Sequence, residues 1–125
     1  MIALYNESNT QAAADCSCFW SDFGYTSASE CQANETTSAI TSVERECIIH
    51  VDPTRDWSAA LECAARAEAS RTDCYVSALS TCSTGAFDAC DSNASLRLSS
   101  CPDLCADAAC TSDWNAYVSD TSDCF

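Results

Sequence analysis

Twelve cysteines are spread over 125 residues, nearly one in ten, and this single feature limits the possible folds more than any other. A cysteine density of that order in a short chain belongs to disulfide scaffolds. Metal is the competing use, because thiolates at C-x2-C spacing bind tetrahedral zinc. No such pair occurs. The close spacings are Cys16-x-Cys18, Cys101-x3-Cys105 and Cys105-x4-Cys110, and His50 is the only histidine. The remaining cysteines, Cys31, Cys47, Cys63, Cys74, Cys82, Cys90 and Cys124, stand further apart. We therefore expect about six disulfides, no metal and no cofactor. Since glutathione-poised cytosol keeps such thiols reduced, a secreted, extracellular protein is expected.

Twelve cysteines allow on the order of ten thousand pairings, so only exclusions follow from spacing. Cys16 and Cys18 go to different partners. Cys63 and Cys74 do not pair with each other, since on one helix they stand about 16 Å apart at 1.5 Å per residue, beyond disulfide reach.

The charge is lopsided: 19 acidic residues against five arginines and no lysine, net −14. Such a chain repels phosphate backbones and anionic lipid heads, so neither nucleic acid nor a membrane is an expected partner. No apolar run reaches the 18 or more residues of a membrane span. The opening MIALYNESNTQAAAD has neither the basic nor the long apolar region of a signal peptide, so a leader is expected to have been removed already.

Only two glycines and two prolines occur, too few turn formers for a many-stranded sandwich. The expected fold is all-α, a small disulfide-stapled bundle of about four to five helices over 16–125, preceded by a non-helical arm over 1–15. In that arm Ile2 and Leu4 alternate with small or polar residues, and with Tyr5 they are candidates for docking on a neighbouring copy.

An aromatic cluster, Phe19, Trp20, Phe23 and Tyr25, precedes a Ser27-x-x-Glu30 capping box that should start a short helix carrying Cys31. A second helix is expected over 37–50, with Ile40, Val43 and Cys47 on one face and Asp52-Pro53 ending it. Asp56 should cap the longest helix, 57–80. Its face of Leu61, Ala64, Tyr75 and Leu79 opposes a small-residue face of Cys63, Ala67, Cys74 and Ala78, so it should lie at the centre of the bundle. Phe87 and Cys90 suggest a short helical turn, Asp91 to Ala94 a break, and Pro102 the first turn of a last helix over 103–118. On that helix Cys110, Trp114 and Tyr117 align, and a break near Ser112 is expected.

Catalytic signatures are sparse. There is no G-x-S-x-G, S-x-x-K is impossible without lysine, and no cysteine is marked as a partner for His50, which reads as a partly exposed capping residue at a helix end. Asp91, Asn93 and Ser95 imitate an EF-hand, but its glycine and glutamate positions hold Leu96 and Pro102. Irregular calcium binding would fall among Asp88, Asp91, Asp103 and Asp107. The sequons at Asn6, Asn34 and Asn93 are glycosylation candidates, expected in arm, interhelical break and loop.

Leu104-Cys105-Ala106-Asp107-Ala108-Ala109-Cys110 followed by Cys124 resembles the elicitins and elicitin-like proteins, secreted helical proteins of oomycetes that carry sterols in an apolar cavity. The resemblance covers about 21 of 125 residues. It implies that Cys105, Cys110 and Cys124 reach partners elsewhere in the domain. Elicitins have half as many cysteines and continue beyond the position of Cys124, so sterol binding is not carried over. In composition the chain is also similar to ciliate water-borne pheromones. The run from Leu61-Glu62-Cys63-Ala64-Ala65 through Cys74, Cys82 and Cys90 looks like cysteine-rich secreted proteins of myxobacteria.

The expected function is a noncatalytic extracellular structural or recognition protein that binds itself or another extracellular protein, with self-assembly through the arm. The alternatives are a secreted carrier of a small apolar ligand, its cavity lined by residues such as Leu61, Tyr75, Leu79 and Trp114, and a secreted signalling ligand.

Overall fold

A computed structural model describes residues 2–37, 40–51, 53 and 55–125. Among them are six helices and no strand: α1 (Ile2–Phe19), α2 (Ala28–Glu35), α3 (Ser42–His50), α4 (Ser58–Ala78), α5 (Thr84–Leu98) and α6 (Ala108–Ser122). All twelve cysteines are paired, as Cys16–Cys31, Cys18–Cys82, Cys47–Cys124, Cys63–Cys101, Cys74–Cys90 and Cys105–Cys110. Both exclusions drawn from spacing hold. A bridge at each of these pairs requires an oxidising compartment during folding.

The expected arm is a helix. Ile2, Leu4 and Tyr5 form its first turn, and the segment is anchored by small and polar residues that an apolar periodicity does not register. Ala14 and Cys16 are buried. Gln11 Nε2 donates to Glu68 Oε2 and Thr72 Oγ1, both at 3.1 Å, tying α1 to α4. Asn9 Oδ1 accepts from the Thr37 backbone and hydroxyl, both at 3.0 Å. With no glycine or proline before Gly24, nothing in the backbone stops the helix before Phe19.

α2 begins as expected, with Ser27 Oγ accepting from the Glu30 N–H at 3.1 Å, but Glu30 reaches back to Thr26 rather than to Ser27. A complete capping box lies instead at Thr41 and Glu44, starting α3 five residues after the expected position. Ile48, not Val43, is the buried residue of α3, and Ile40 lies before the helix rather than on its face; Val43 is 77% exposed. Asp52, expected to help end this helix, lies outside the described residues. His50 is exposed at the helix end, as expected, its Nδ1 2.6 Å from the Glu46 carbonyl.

α4 is central, packed on α1 along one side and α5 along another. Asp56 caps one position early: its Oδ1 accepts from Ser58 N at 2.9 Å, and Trp57 occupies the N-cap position. The main core joins Ala14, Tyr75, Ala78, Phe87 and Cys90, with Phe19 and Leu79 against it. Phe19 alone of the expected aromatic cluster enters it; Phe23 is 53% exposed.

The break expected at Asp91 to Ala94 does not occur. α5 runs through it because Cys90 and Ala94 are buried and Asp91 is held from α4, accepting from Tyr75 OH at 2.7 Å and facing Arg71 Nε at 3.5 Å. α6 starts later than expected and leaves Pro102 outside, since Asp107 Oδ1 accepts from Cys110 N at 2.7 Å and makes Asp107 the N-cap. It is unbroken at Ser112. Cys110, Trp114 and Tyr117 share a face as expected, and Trp114 and Tyr117 close on the buried Trp57 with ring centroids 5.1 and 5.4 Å away.

Half-burial, then the nearby Asp91 charge, raises the Asp15 carboxyl above its ordinary 3.8. A group raised on folding favours its protonated form, so its contribution is complete below pH 3.8 and is lost as pH rises through the folded value. Asp15→Asn is therefore expected to raise the melting temperature at neutral pH, with the gain shrinking as pH falls toward 3.8. Thermal melts across that range check it; a gain that grows toward acid pH would contradict the assignment.

Candidate functional site

Two depressions, the first of them apolar, meet where the first turn of α1 lies against α3 and the end of α6. The first, about 270 Å³, is walled by Ile2, Leu4 and Tyr5 from α1, Ile40 and Ile48 from the α3 region, and Val118, Thr121, Ser122 and Phe125 from the α6 end. The second, about 490 Å³ and more open, shares Ile2 and Ile48 and continues past Ala3, Ile49, Val51 and Pro53 to Tyr117. Every isoleucine in the chain lies on this groove.

Local sequence explains each wall. On α6, Val118, Thr121 and Ser122 follow the i, i+3, i+4 pattern of one helix face, and Phe125 lies three residues past the helix end. Tyr5 stacks on Phe125 with centroids 5.6 Å apart and planes 12° from parallel, joining α1 to that end. Cys47–Cys124 fixes α3 to α6. These helices otherwise pack sparsely, since dense packing belongs to α1/α2, α1/α4 and α4/α5. The groove thus lies between a tightly packed unit and two helices joined by a staple.

The first depression exposes almost only apolar atoms, the second a near-even mix of polar and apolar ones. The Thr121 hydroxyl is committed to its own helix, 3.0 Å from the carbonyls of Tyr117 and Val118. Three of the groove's lining residues, Ile49, Val118 and Phe125, are large apolar side chains exposed to water, out of seven such in the described structure.

The other expected residues are dispersed. Tyr75 and Leu79 belong to the main core, Trp114 to the Trp57 cluster, and Leu61 to neither, so these four are not brought together in either depression. Asp88 and Asp91 lie on α5, Asp103 precedes α6 and Asp107 caps it. Among the described residues no group of three or more His, Cys, Asp or Glu is placed to hold a metal ion. Asn6, Asn34 and Asn93 are exposed but all helical, contrary to the expected arm, break and loop. Asn34 Nδ2 donates to the Glu30 carbonyl at 2.8 Å.

The pairing implied by the elicitin resemblance is also overturned in part. Cys124 reaches across the chain to Cys47, but Cys105 and Cys110 pair with each other, because the late start of α6 folds the intervening loop back on its first turn. Among the described helices none is long and apolar enough to cross a membrane. Comparison with family models, curated proteins and solved structures finds no match to this chain.

Proposed function

We propose that this is a noncatalytic extracellular recognition protein whose working surface is the apolar groove between α1, α3 and the end of α6. The observation carrying this reading is the open, almost wholly apolar first depression of this groove, on a chain of net charge −14. A folded protein of this acidity has ample polar surface, so concentrated exposed isoleucine, valine and phenylalanine mark an interaction site. The lining offers only hydroxyls as polar side-chain groups, without the carboxylate pair or histidine-activated nucleophile that catalysis would use. Six disulfides suit a working place outside the cell.

A carrier of elicitin type is less well supported. Ligand pockets for whole small molecules span about 300–1,000 Å³ and enclose most of the ligand. The better-walled depression, about 270 Å³, is small and open.

A neutral naphthylamine dye, fluorescent in apolar surroundings, tests the surface. The oxidised protein is expected to bind it, and Val118→Asn with Phe125→Ser to weaken binding about tenfold. Both side chains are exposed, at 39% and 60%, so the fold should persist. Undiminished binding by the double variant would remove the groove from this role.

A further inference from the structure

Three of the chain's five arginines line a second pair of depressions, where α4 packs on α5. The larger, about 460 Å³, is lined by Ser70 and Arg71 of α4 and by Asn93, Leu96 and Arg97 of α5, among others. The smaller, about 220 Å³, shares Arg97 and adds Arg66. Although the chain has 19 acidic residues, none lines either depression. The donors lining the larger one are uncommitted within the protein. The Arg71 side chain is only 22% exposed, 3.4 Å from Glu68 through Nη1 and 3.5 Å from Asp91 through Nε, and neither approach is a hydrogen bond. The Asp91 oxygen in question already accepts from Tyr75 OH at 2.7 Å. Arg97 forms no ion pair, and the Ser70 hydroxyl and Asn93 amide bond to no other group, among the described residues. A guanidinium carries five donors, and burying them without acceptors is costly.

We infer that this depression binds a carboxylate carried on a small apolar body. The guanidinium fork matches the two oxygens of a carboxylate, and Arg71, Arg97, Ser70 and Asn93 together offer it more donors than it can use. A single charge fits best. A phosphate dianion would set two charges beside Glu68 and Asp91, and a polyanion would extend past the arginines into the field of a −14 surface. The rest of the lining suits the apolar body: the depression exposes polar and apolar atoms in near-equal measure, and Leu96 is 70% exposed. Its volume lies within the range of about 300–1,000 Å³ usual for small-molecule sites. The Cys74–Cys90 bridge, also in the lining, fixes α4 to α5, so the donors are held in place before a ligand arrives. No lining residue is shared with the groove between α1, α3 and α6.

Calorimetric titration of the intact, oxidised protein with naphthoate, its neutral amide and acetate tests this. A glycan on the Asn93 sequon would cover the depression, so the protein is produced without one and checked by intact mass. Naphthoate is expected to bind saturably and at least about tenfold more tightly than either the amide or acetate. Arg97→Gln should weaken it about tenfold without moving the melting temperature, since this side chain is exposed and forms no ion pair. Val118→Asn with Phe125→Ser, on the groove, should leave it unchanged. An N-acetylated dipeptide ending in phenylalanine separates the two sources of such a carboxylate: tighter binding than naphthoate assigns it to a peptide end, weaker binding to a free acid. Absence of saturable binding at millimolar naphthoate, or equal binding of the amide, would overturn the inference. Undiminished binding by Arg97→Gln, or loss in the groove variant, would do the same.

Discussion

Replacing Cys18 and Cys82 together by serine is expected to destabilise the protein by about 4 kcal/mol. The bridge joins the end of α1 to the turn after α4 across a separation of 64 residues. Closing so long a loop removes much of the freedom of the unfolded chain, and no other bridge provides a short alternative path between those points. Cys105–Cys110, with a separation of five, should cost only about 2 kcal/mol when removed the same way. Guanidinium denaturation of the otherwise oxidised variants measures both. Equal losses would mean that loop entropy is not how the staples act. Cys82 also has a positive φ of 44° at the end of α4, a position where glycine is ordinarily favoured. Its sulfur is what the position requires. Once the bridge is gone, glycine at 82 should recover about 1 kcal/mol relative to serine.

Phe87→Ala should cost a similar amount, about 4 kcal/mol. Phe87 is only 4% exposed, edge-on to Phe19 with ring centroids 5.0 Å apart and 4.6 Å from Tyr75, so α1, α4 and α5 meet on its ring. Its truncation leaves a cavity walled by the Phe19 and Tyr75 rings together with alanines and disulfide cysteines, which refill it only in part. Phe23→Ala, at a ring 53% exposed, should stay within about 0.5 kcal/mol. The same denaturation experiment compares them, and similar losses for the two phenylalanines would place the core elsewhere.

The sequence carries the centre of this fold more clearly than its edges. α4 is legible because it is buried from two sides and shows two small or apolar faces, and α2 because Ser27 and Glu30 mark its start. α1 is not, because it is held by Gln11, Asn9 and Ala14 rather than by a repeating apolar stripe. Asp91 and Asn93 look like helix breakers until Tyr75 and Arg71, far away in sequence, take up the Asp91 carboxylate. The late start of α6 depends on a cap at Asp107 that competes with the usual preference for proline in a first turn.

The groove is the least legible part, since its walls come from the two ends of the chain and a middle segment brought together by Cys47–Cys124. Ile2 and Leu4 looked like the start of an extended arm because their alternation fits a strand as well as one side of a helical turn. One signal was present: all the isoleucines lie outside the cysteine-rich stretch from Cys63 to Cys110.

That distribution also supplies the most direct test. With only the isoleucine δ1 methyl groups labelled, the carbon–proton correlation spectrum of the oxidised protein reports on Ile2, Ile40, Ile48 and Ile49 alone, all on the groove. Titration with the neutral dye is expected to shift Ile2, Ile40 and Ile48, whose side chains wall the better-defined depression, in a saturable manner. Isoleucine signals that stay fixed while the dye fluoresces on the protein would place binding elsewhere and contradict the assignment of this groove as the recognition surface.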